Sequence, residues 1–523
     1  MRRRNAISIG LLVIFFAIAA FRIVRTYSLY SQTDDESYHI ACGMEWLSRG
    51  TYTYELQHPP LARIAVALGP YLLGIRSFGL DHPAREGNAI LNAGGRYFRN
   101  LTAARVGNLF FLAIACAGLA TWAWWQYGTG AAVCSVGLFT MLPPILGHGA
   151  LATTDLACTA SVIVAVLAFL WWIERPDFAR SLIFGAALAF AVLAKFSSIP
   201  FLSGCFVVTL IALRRVPRLG WSAVAGLVCL VLVWSGYRFS LKALSAERAG
   251  ASRYLPHAIT DTRLPLTEVV AGLYDVNNHN QSGHDSFLLG RYSHDGFRLF
   301  FPVALGVKSP LGFLVLAILG AWTMWRGKRA GETACATVPL APIILAGVIL
   351  GCGIWARIDI GIRHILPIYG ALSLCAGYAL ANLRRPMAIV AVILAAITCV
   401  ESVSAKDDYL PWFNVLGGSH PERILADSDL DWGQDLHRLT ERLHARGVQD
   451  LALAYFGTAD LSKAGLPPNR PVDPFQETRG WIAVSARYLT LEHARDGSYD
   501  WLLHHQPLER IGKSIFLYYL PPC

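Results

Sequence analysis

Near the N-terminus, Thr33-Asp34-Asp35-Glu36-Ser37-Tyr38-His39 sets three carboxylates side by side just after an apolar run. A carboxylate held close to a membrane surface is costly to desolvate, and its pKa can rise into the range of a general base. Such acids also suit a metal ion, and the same residues would serve equally as a solvated loop whose Asp caps a helix. Further along lies Gln57-His58-Pro59-Pro60-Leu61-Ala62-Arg63. The prolines fix the backbone, and His58 and Arg63 could hold an anion at the interface or simply flank a rigid turn.

The chain around these residues is apolar. Of 523 residues, 54% are hydrophobic and 15% charged, against roughly 25% charged in soluble domains. The composition argues against an ordinary soluble enzyme, and a disordered chain and a collagen-like repeat are excluded. The net charge of +10 could suggest nucleic acid, but Arg and Lys gather in short clusters between apolar runs, which reads as membrane orientation instead. No CxxC pair occurs, and Cys116, Cys134, Cys158, Cys229, Cys352, Cys375 and Cys399 read as small apolar fillers.

Apolar runs predict eleven spans, at 6–24, 104–123, 130–147, 156–173, 182–198, 199–213, 220–237, 307–325, 338–355, 364–381 and 387–402. The first follows Arg2-Arg3-Arg4 and is read as a retained span rather than a cleaved signal. With the N-terminus inside, the inside loops carry Arg175, Arg180, Arg214, Arg215, Arg218, Arg326, Lys328, Arg329, Arg384 and Arg385, opposed by Glu174, Asp177 and Glu332. This is a positive-inside pattern. Leu61–Ile75 is short and interrupted by Arg63, so it reads as an interfacial or re-entrant helix. The loops 25–103 and 238–306 and the tail 403–523 then lie outside. In the tail, strands are expected at Arg423–Ser428, Leu451–Phe456, Trp481–Ser485 and Ser514–Leu520, with a helix over Trp432–Arg446 ending at Gly447. The expected fold is a polytopic all-α membrane protein, with a transmembrane module over 1–402 and a small extracytoplasmic α/β domain over 403–523.

Asp35-Glu36 with Tyr38, followed by His58-Pro59-Pro60-Leu61, resembles the first luminal loop of protein O-mannosyltransferases. The lipid A aminoarabinose transferases are similar, with Lys usual at the position of His58. Both are membrane glycosyltransferases of fold type C that use a lipid-phosphate sugar donor. Further matches follow in order: His148 through Asp155, Ala194-Lys195-Phe196, Gly283-His284, Gly290, Phe301 through Pro310, Gly361-Ile362-Arg363-His364-Ile365-Leu366-Pro367, and Asp429-Leu430-Asp431-Trp432-Gly433-Gln434-Asp435-Leu436.

The resemblance implies that Asp35 is the general base, with Asp34 an in-register competitor, Glu36 beside it, and Asp155 orienting acceptor or sugar. The donor phosphate would be held by His58, Lys195 and Arg363, with His364 and Lys308 as further candidates. A divalent cation would bind near Glu36, His284 or Asp155. The expected partners are a polyprenyl-phosphate sugar, an acceptor protein, lipid or glycan, and membrane lipids, with no nucleic acid. The resemblance further implies inversion at the anomeric carbon by direct displacement. The alternative is a transporter or flippase, which would place polar residues mid-span and often show inverted repeats. Asp427-Ser428-Asp429-Leu430-Asp431 starts like a calcium loop, but Trp432 and Arg438 stand where the loop needs Gly and Glu.

Overall fold

The computed structural model describes residues 2–247, 260–330 and 338–522; Glu332 lies outside them. Helices α1 (Arg2–Arg25), α2 (Asp34–Arg49), α3 (Pro60–Leu72), α4 (Pro83–Asn92) and α5 (Tyr97–Tyr127) are followed by α6 (Thr129–Phe139), α7 (Pro143–Gly149), α8 (Asp155–Glu174), α9 (Phe178–Ala194), α10 (Ser198–Leu213) and α11 (Leu219–Gly236). The helices Phe300–Lys308, Leu311–Ala330, Ala341–Trp355, Ile368–Asn382 and Met387–Ser404 complete a polytopic helical body.

Among the described residues, five helices are long and apolar enough to cross a membrane, and up to seven if each of two bent pairs is one span. The expected count of eleven exceeds this because several apolar runs form short helices: α9 has 17 residues, α10 16, and Ala341–Trp355 and Ile368–Asn382 15 each. A straight span needs about 20. The bends have a local cause. Leu142 and Ser309 precede prolines and adopt extended ψ angles of 121° and 143°, because a following proline disfavours the helical conformation. The chain therefore turns by 65° between α6 and α7 and by 114° between Phe300–Lys308 and its successor. α3, with 13 residues, is ~20 Å long against a hydrocarbon core of ~30 Å. It packs against α2 and α5, so closely that a Cβ at Gly43 would collide with the Arg63 carbonyl.

The C-terminal region is a five-stranded mixed sheet in the order Asn469–Pro471, Leu451–Ala454, Gly480–Ser485, Ile515–Leu520, Glu509–Ile511. Leu451–Ala454 runs parallel to both of its neighbours, and Ile515–Leu520 antiparallel to both of its own. The helix Leu436–Ala445 lays Leu436, Leu439 and Leu443 on one face of the sheet. It stops at Gly447, whose φ of 66° is left-handed.

Two expected boundaries move. The helix begins at Leu436 rather than Trp432 because Gly433 is also left-handed, at φ 87°. Arg423–Ser428 is not a strand: it folds into the 3-10 turns Pro421–Arg423 and Asp427–Asp429. There the Asp427 carbonyl accepts the N–H groups of Leu430 and Asp431, each at 2.8 Å.

This region sits on the loops at one end of the helices. Ser31 N–H donates to the Gln434 carbonyl at 2.9 Å, Asp34 N–H to that of Trp432 at 3.0 Å, and Leu289 N–H to that of Ile424 at 3.0 Å. The cysteines of the described residues named above are free thiols.

Candidate active site

The first turn of α2 carries the three acids, and each meets a different environment. Glu36 closes a capping box, accepting the Thr33 N–H at 2.8 Å. Its side chain and that of Arg105 are both fully buried, joined by two charge-assisted hydrogen bonds of 2.8 Å. The second Glu36 interaction of consequence is with Ala152 N–H, at 2.7 Å. Arg105 also donates to the carbonyls of Tyr30 (2.9 Å) and Ser31 (2.8 Å). Glu36 thus ties α2 to α5 and to the turn that leads into Asp155. Both Glu36 oxygens are taken by these donors.

Asp35 points elsewhere. Its Oδ2 accepts from Arg363 Nη1 at 2.6 Å. Burial would raise the Asp35 carboxyl, but Arg363, and then His39, outweigh it and hold it below the ordinary carboxylate value. Arg363 lies in the 3-10 turn Ile362–Ile365. Its Nε donates to Ser428 Oγ at 3.2 Å, and its guanidinium lies 4.2 Å from the centre of the Trp432 ring. The turn is fixed from the tail, since Ile362 N–H donates to Asp429 Oδ1 at 3.0 Å. Gly361 has φ 150°, and a Cβ there would strike Ser428 Oγ.

A second acid–cation pair stands close by. Lys195, in the turn between α9 and α10, donates to Asp155 Oδ1 at 2.6 Å at the start of α8. Asp35, Arg363, Asp155 and Lys195 are near enough for their charges to act on one another. His39, His58, His148 and His364 surround them. His39 accepts from Arg63 Nε through Nδ1 at 3.1 Å, so the neutral ring carries its proton on Nε2. Burial, with Arg63 beside it, pushes its pKa down to about 3. The His39 and His58 rings meet edge to face at 5.2 Å. His58 Nδ1, His148 Nδ1 and Asp155 Oδ2 are buried without a protein partner. These orphan atoms border the same charged cluster and lack the partner that buried polar atoms usually have.

Asp34, half-exposed, faces the C-terminal region. Burial, then the neighbouring Asp35, push its pKa up to about 6, against the opposing charges of Arg363 and Arg487. Arg487 stacks over Phe456 at 4.4 Å and pairs with Asp427. Asp427 Oδ1 accepts the Ser428 N–H at 2.7 Å, so a polar chain runs from Asp35 through Arg363, Ser428 and Asp427 to Arg487. Asp427 has φ 58°, a strained conformation for a non-glycine residue.

Two expected phosphate or metal groups border this cluster with partners of their own. Lys308 is buried and donates to the carbonyls of Leu410 (2.8 Å) and Asp429 (2.6 Å), with Phe413 4.3 Å away. It clamps the tail to the helical body. His284 Nδ1 faces the Asp285 carbonyl at 3.0 Å, and its ring neighbour is His279 at 5.6 Å. Among the described residues no group of three His, Cys, Asp or Glu side chains could hold a metal ion. In the calcium-like segment, Asp429 keeps one oxygen without a partner. Asp431 accepts the N–H groups of Gly433 (3.3 Å) and Arg487 (3.1 Å), and Asp435 accepts from Arg438 (2.9 Å) and Ser514 (2.8 Å).

Sequence reasoning missed Arg105 and Arg487, and gave His39 no role of its own. Arg105 carried a readable signal, being a charge inside an apolar run. Arg487 carried none.

No protein-family model matches the sequence, and comparison with curated proteins finds no match. Solved structures do match. ArnT from Cupriavidus metallidurans bound to undecaprenyl phosphate aligns at TM-score 0.52 and 14% identity, covering 97% of this chain and 98% of that one. The apo form of ArnT aligns at 0.51 and 17%, covering 76% of this chain and 65% of that one. The archaeal oligosaccharyltransferase AglB from Archaeoglobus fulgidus, in complex with an inhibitory peptide and a dolichol-phosphate, aligns at 0.52 and 10%, covering 96% and 73%. The chain therefore has the GT-C type of polytopic membrane fold.

Proposed function

We propose that the protein is an integral-membrane glycosyltransferase that moves a sugar from a polyprenyl-phosphate donor to an acceptor hydroxyl. The observation that carries this reading is the meeting of two acid–cation pairs, Asp35 with Arg363 and Asp155 with Lys195, beside unpaired buried polar atoms at one end of the helices. The lipid phosphates held by ArnT and AglB of the same fold support a donor of that class.

In this reading Asp35 is the base. The acceptor O–H gives its proton to the Asp35 carboxylate as its oxygen bonds to the anomeric carbon. The bond from that carbon to the phosphate oxygen breaks, and its electron pair leaves on the polyprenyl phosphate. Arg363 and Lys195 stabilise that phosphate, Arg363 through its planar fork and Lys195 as a point charge. An arriving phosphate draws the Arg363 fork away from Asp35, which makes Asp35 more basic when donor is bound. His58 and His364 border the same cations, and Asp155 keeps one oxygen for a sugar or acceptor hydroxyl. The clusters of basic residues in the loops between apolar runs support an N-terminus in the cytoplasm of the inner membrane and a domain 403–523 outside.

The test is transfer from polyprenyl-phosphate sugars by wild type and by Lys195→Met in lipid. The reading requires a loss of about 10²–10³-fold in the variant; equal rates would end it.

A further inference from the structure

A cleft of about 500 Å³ opens between the start of α4 and the C-terminal region, lined by Asp81, His82, Ala84, Arg85, Asn88 and Thr458. Its size falls within the ~300–1,000 Å³ of small-molecule sites. The two walls come from opposite ends of the chain and are locked together. Asn88 Nδ2 donates to the Thr458 carbonyl at 2.6 Å, and Asn88 Oδ1 accepts the Asp460 N–H at 3.2 Å.

The cleft is joined to the site described above. The Thr458 hydroxyl donates to the Asp34 carbonyl at 2.7 Å and lies 2.9 Å from Ser37 Oγ. Tyr38, four residues after Asp34, shares its face of α2. Its ring meets that of His82 edge to face at 5.9 Å. Phe456, two residues before Thr458, carries Arg487, whose charge acts on Asp34. One helix face therefore bears Asp34, next in sequence to Asp35, at one end and Tyr38, packed on His82 of the cleft, at the other.

The lining states what fits. No membrane-span helix contributes to it, and Asp81 and Arg85 are 83% and 75% exposed, so it is reached from water. The Arg85–Asp81 contact of 3.8 Å leaves a guanidinium and a carboxylate open to a ligand. A lipid chain needs an apolar wall and a nucleic acid a basic one. Here an acid (Asp81), a base (Arg85) and one ring (His82) stand side by side with Ala84, which matches a saccharide: paired hydroxyls for the charges, a C–H face for the ring.

We propose that this cleft is the acceptor subsite and that it takes a saccharide. The acceptor role rests on the transferase reading above; the cleft's chemistry does not. The experiment uses the full chain in lipid nanodiscs and saturation-transfer NMR with chitotriose, maltotriose and mannotriose at millimolar concentration. Ala84→Trp fills the cleft, and Arg85→Ala removes one exposed donor should the larger substitution disturb folding. At least one trisaccharide is expected to bind wild type, and to bind Ala84→Trp at least tenfold more weakly and Arg85→Ala about threefold more weakly. No binding to wild type, or unchanged binding in both variants, would overturn the saccharide cleft. Consumption of undecaprenyl-phosphate sugars by wild type in the same discs reports separately. Saccharide binding with no donor consumed would overturn the acceptor role through the transferase reading, whereas consumption with binding unchanged in both variants would overturn the cleft alone.

Discussion

Arg363 Nη1 lies 2.6 Å from Asp35 Oδ2, across 328 residues of sequence. One guanidinium thereby holds the candidate base ionised while a serine of the C-terminal region, Ser428, fixes its other edge. The cation that would take the donor phosphate and the carboxylate that would take the acceptor proton are one unit, and that coupling has measurable consequences.

Arg363→Lys keeps the charge but loses the planar fork. Binding of undecaprenyl phosphate, followed by isothermal calorimetry, is expected to weaken about tenfold in Arg363→Lys and more in Arg363→Ala. Lys195→Arg, which keeps a cation beside Asp155, is expected to retain most binding. Wild-type affinity in Arg363→Ala would remove Arg363 from the phosphate site.

Glu36 and Arg105 are a fully buried pair, and removal of one partner strands the other. Glu36→Gln and Arg105→Met are each expected to destabilise the fold by about 3–5 kcal/mol. The double variant should be less destabilised than the sum of the two. Thermal unfolding in detergent measures this, and additive losses would show that the two side chains do not act together.

Asp34, with its pKa pushed up to about 6 by burial and by Asp35, gives a pH signature. A bound phosphate adds negative charge, so it favours the protonated, neutral Asp34. Donor affinity is therefore expected to be highest below pH 6 and to fall as pH rises through about 6, by no more than tenfold per unit. Asp34→Asn should bind donor with little pH dependence over that window. The same slope in both proteins would place the titration on another group.

The sequence makes the helical body legible because long apolar runs leave few alternatives to spans. It does not reveal where α6–α7 and the 300–330 segment bend, although the prolines at 143 and 310 carry the information. The site is legible as residue types rather than as roles. Asp34, Asp35 and Glu36 are consecutive, and a helix turns about 100° per residue. The three therefore diverge to the C-terminal region, to Arg363 and to Arg105, and no linear motif states which acid takes which direction. Lys308 reads as a phosphate ligand by its charge and place, yet backbone carbonyls of the tail receive its protons. Arg487 is hidden because its relation to Asp34 exists only once the C-terminal sheet docks.

The central claim is that Asp35 takes the acceptor proton. It is tested most directly by offering wild type and Asp35→Asn, purified in lipid, a panel of radiolabelled polyprenyl-phosphate sugars with membrane extract as acceptor. The expected result is donor consumption by wild type and a loss of about 10²–10³-fold in Asp35→Asn, with undecaprenyl phosphate still bound. Equal consumption by the two proteins, or none by folded wild type with any donor, would contradict it.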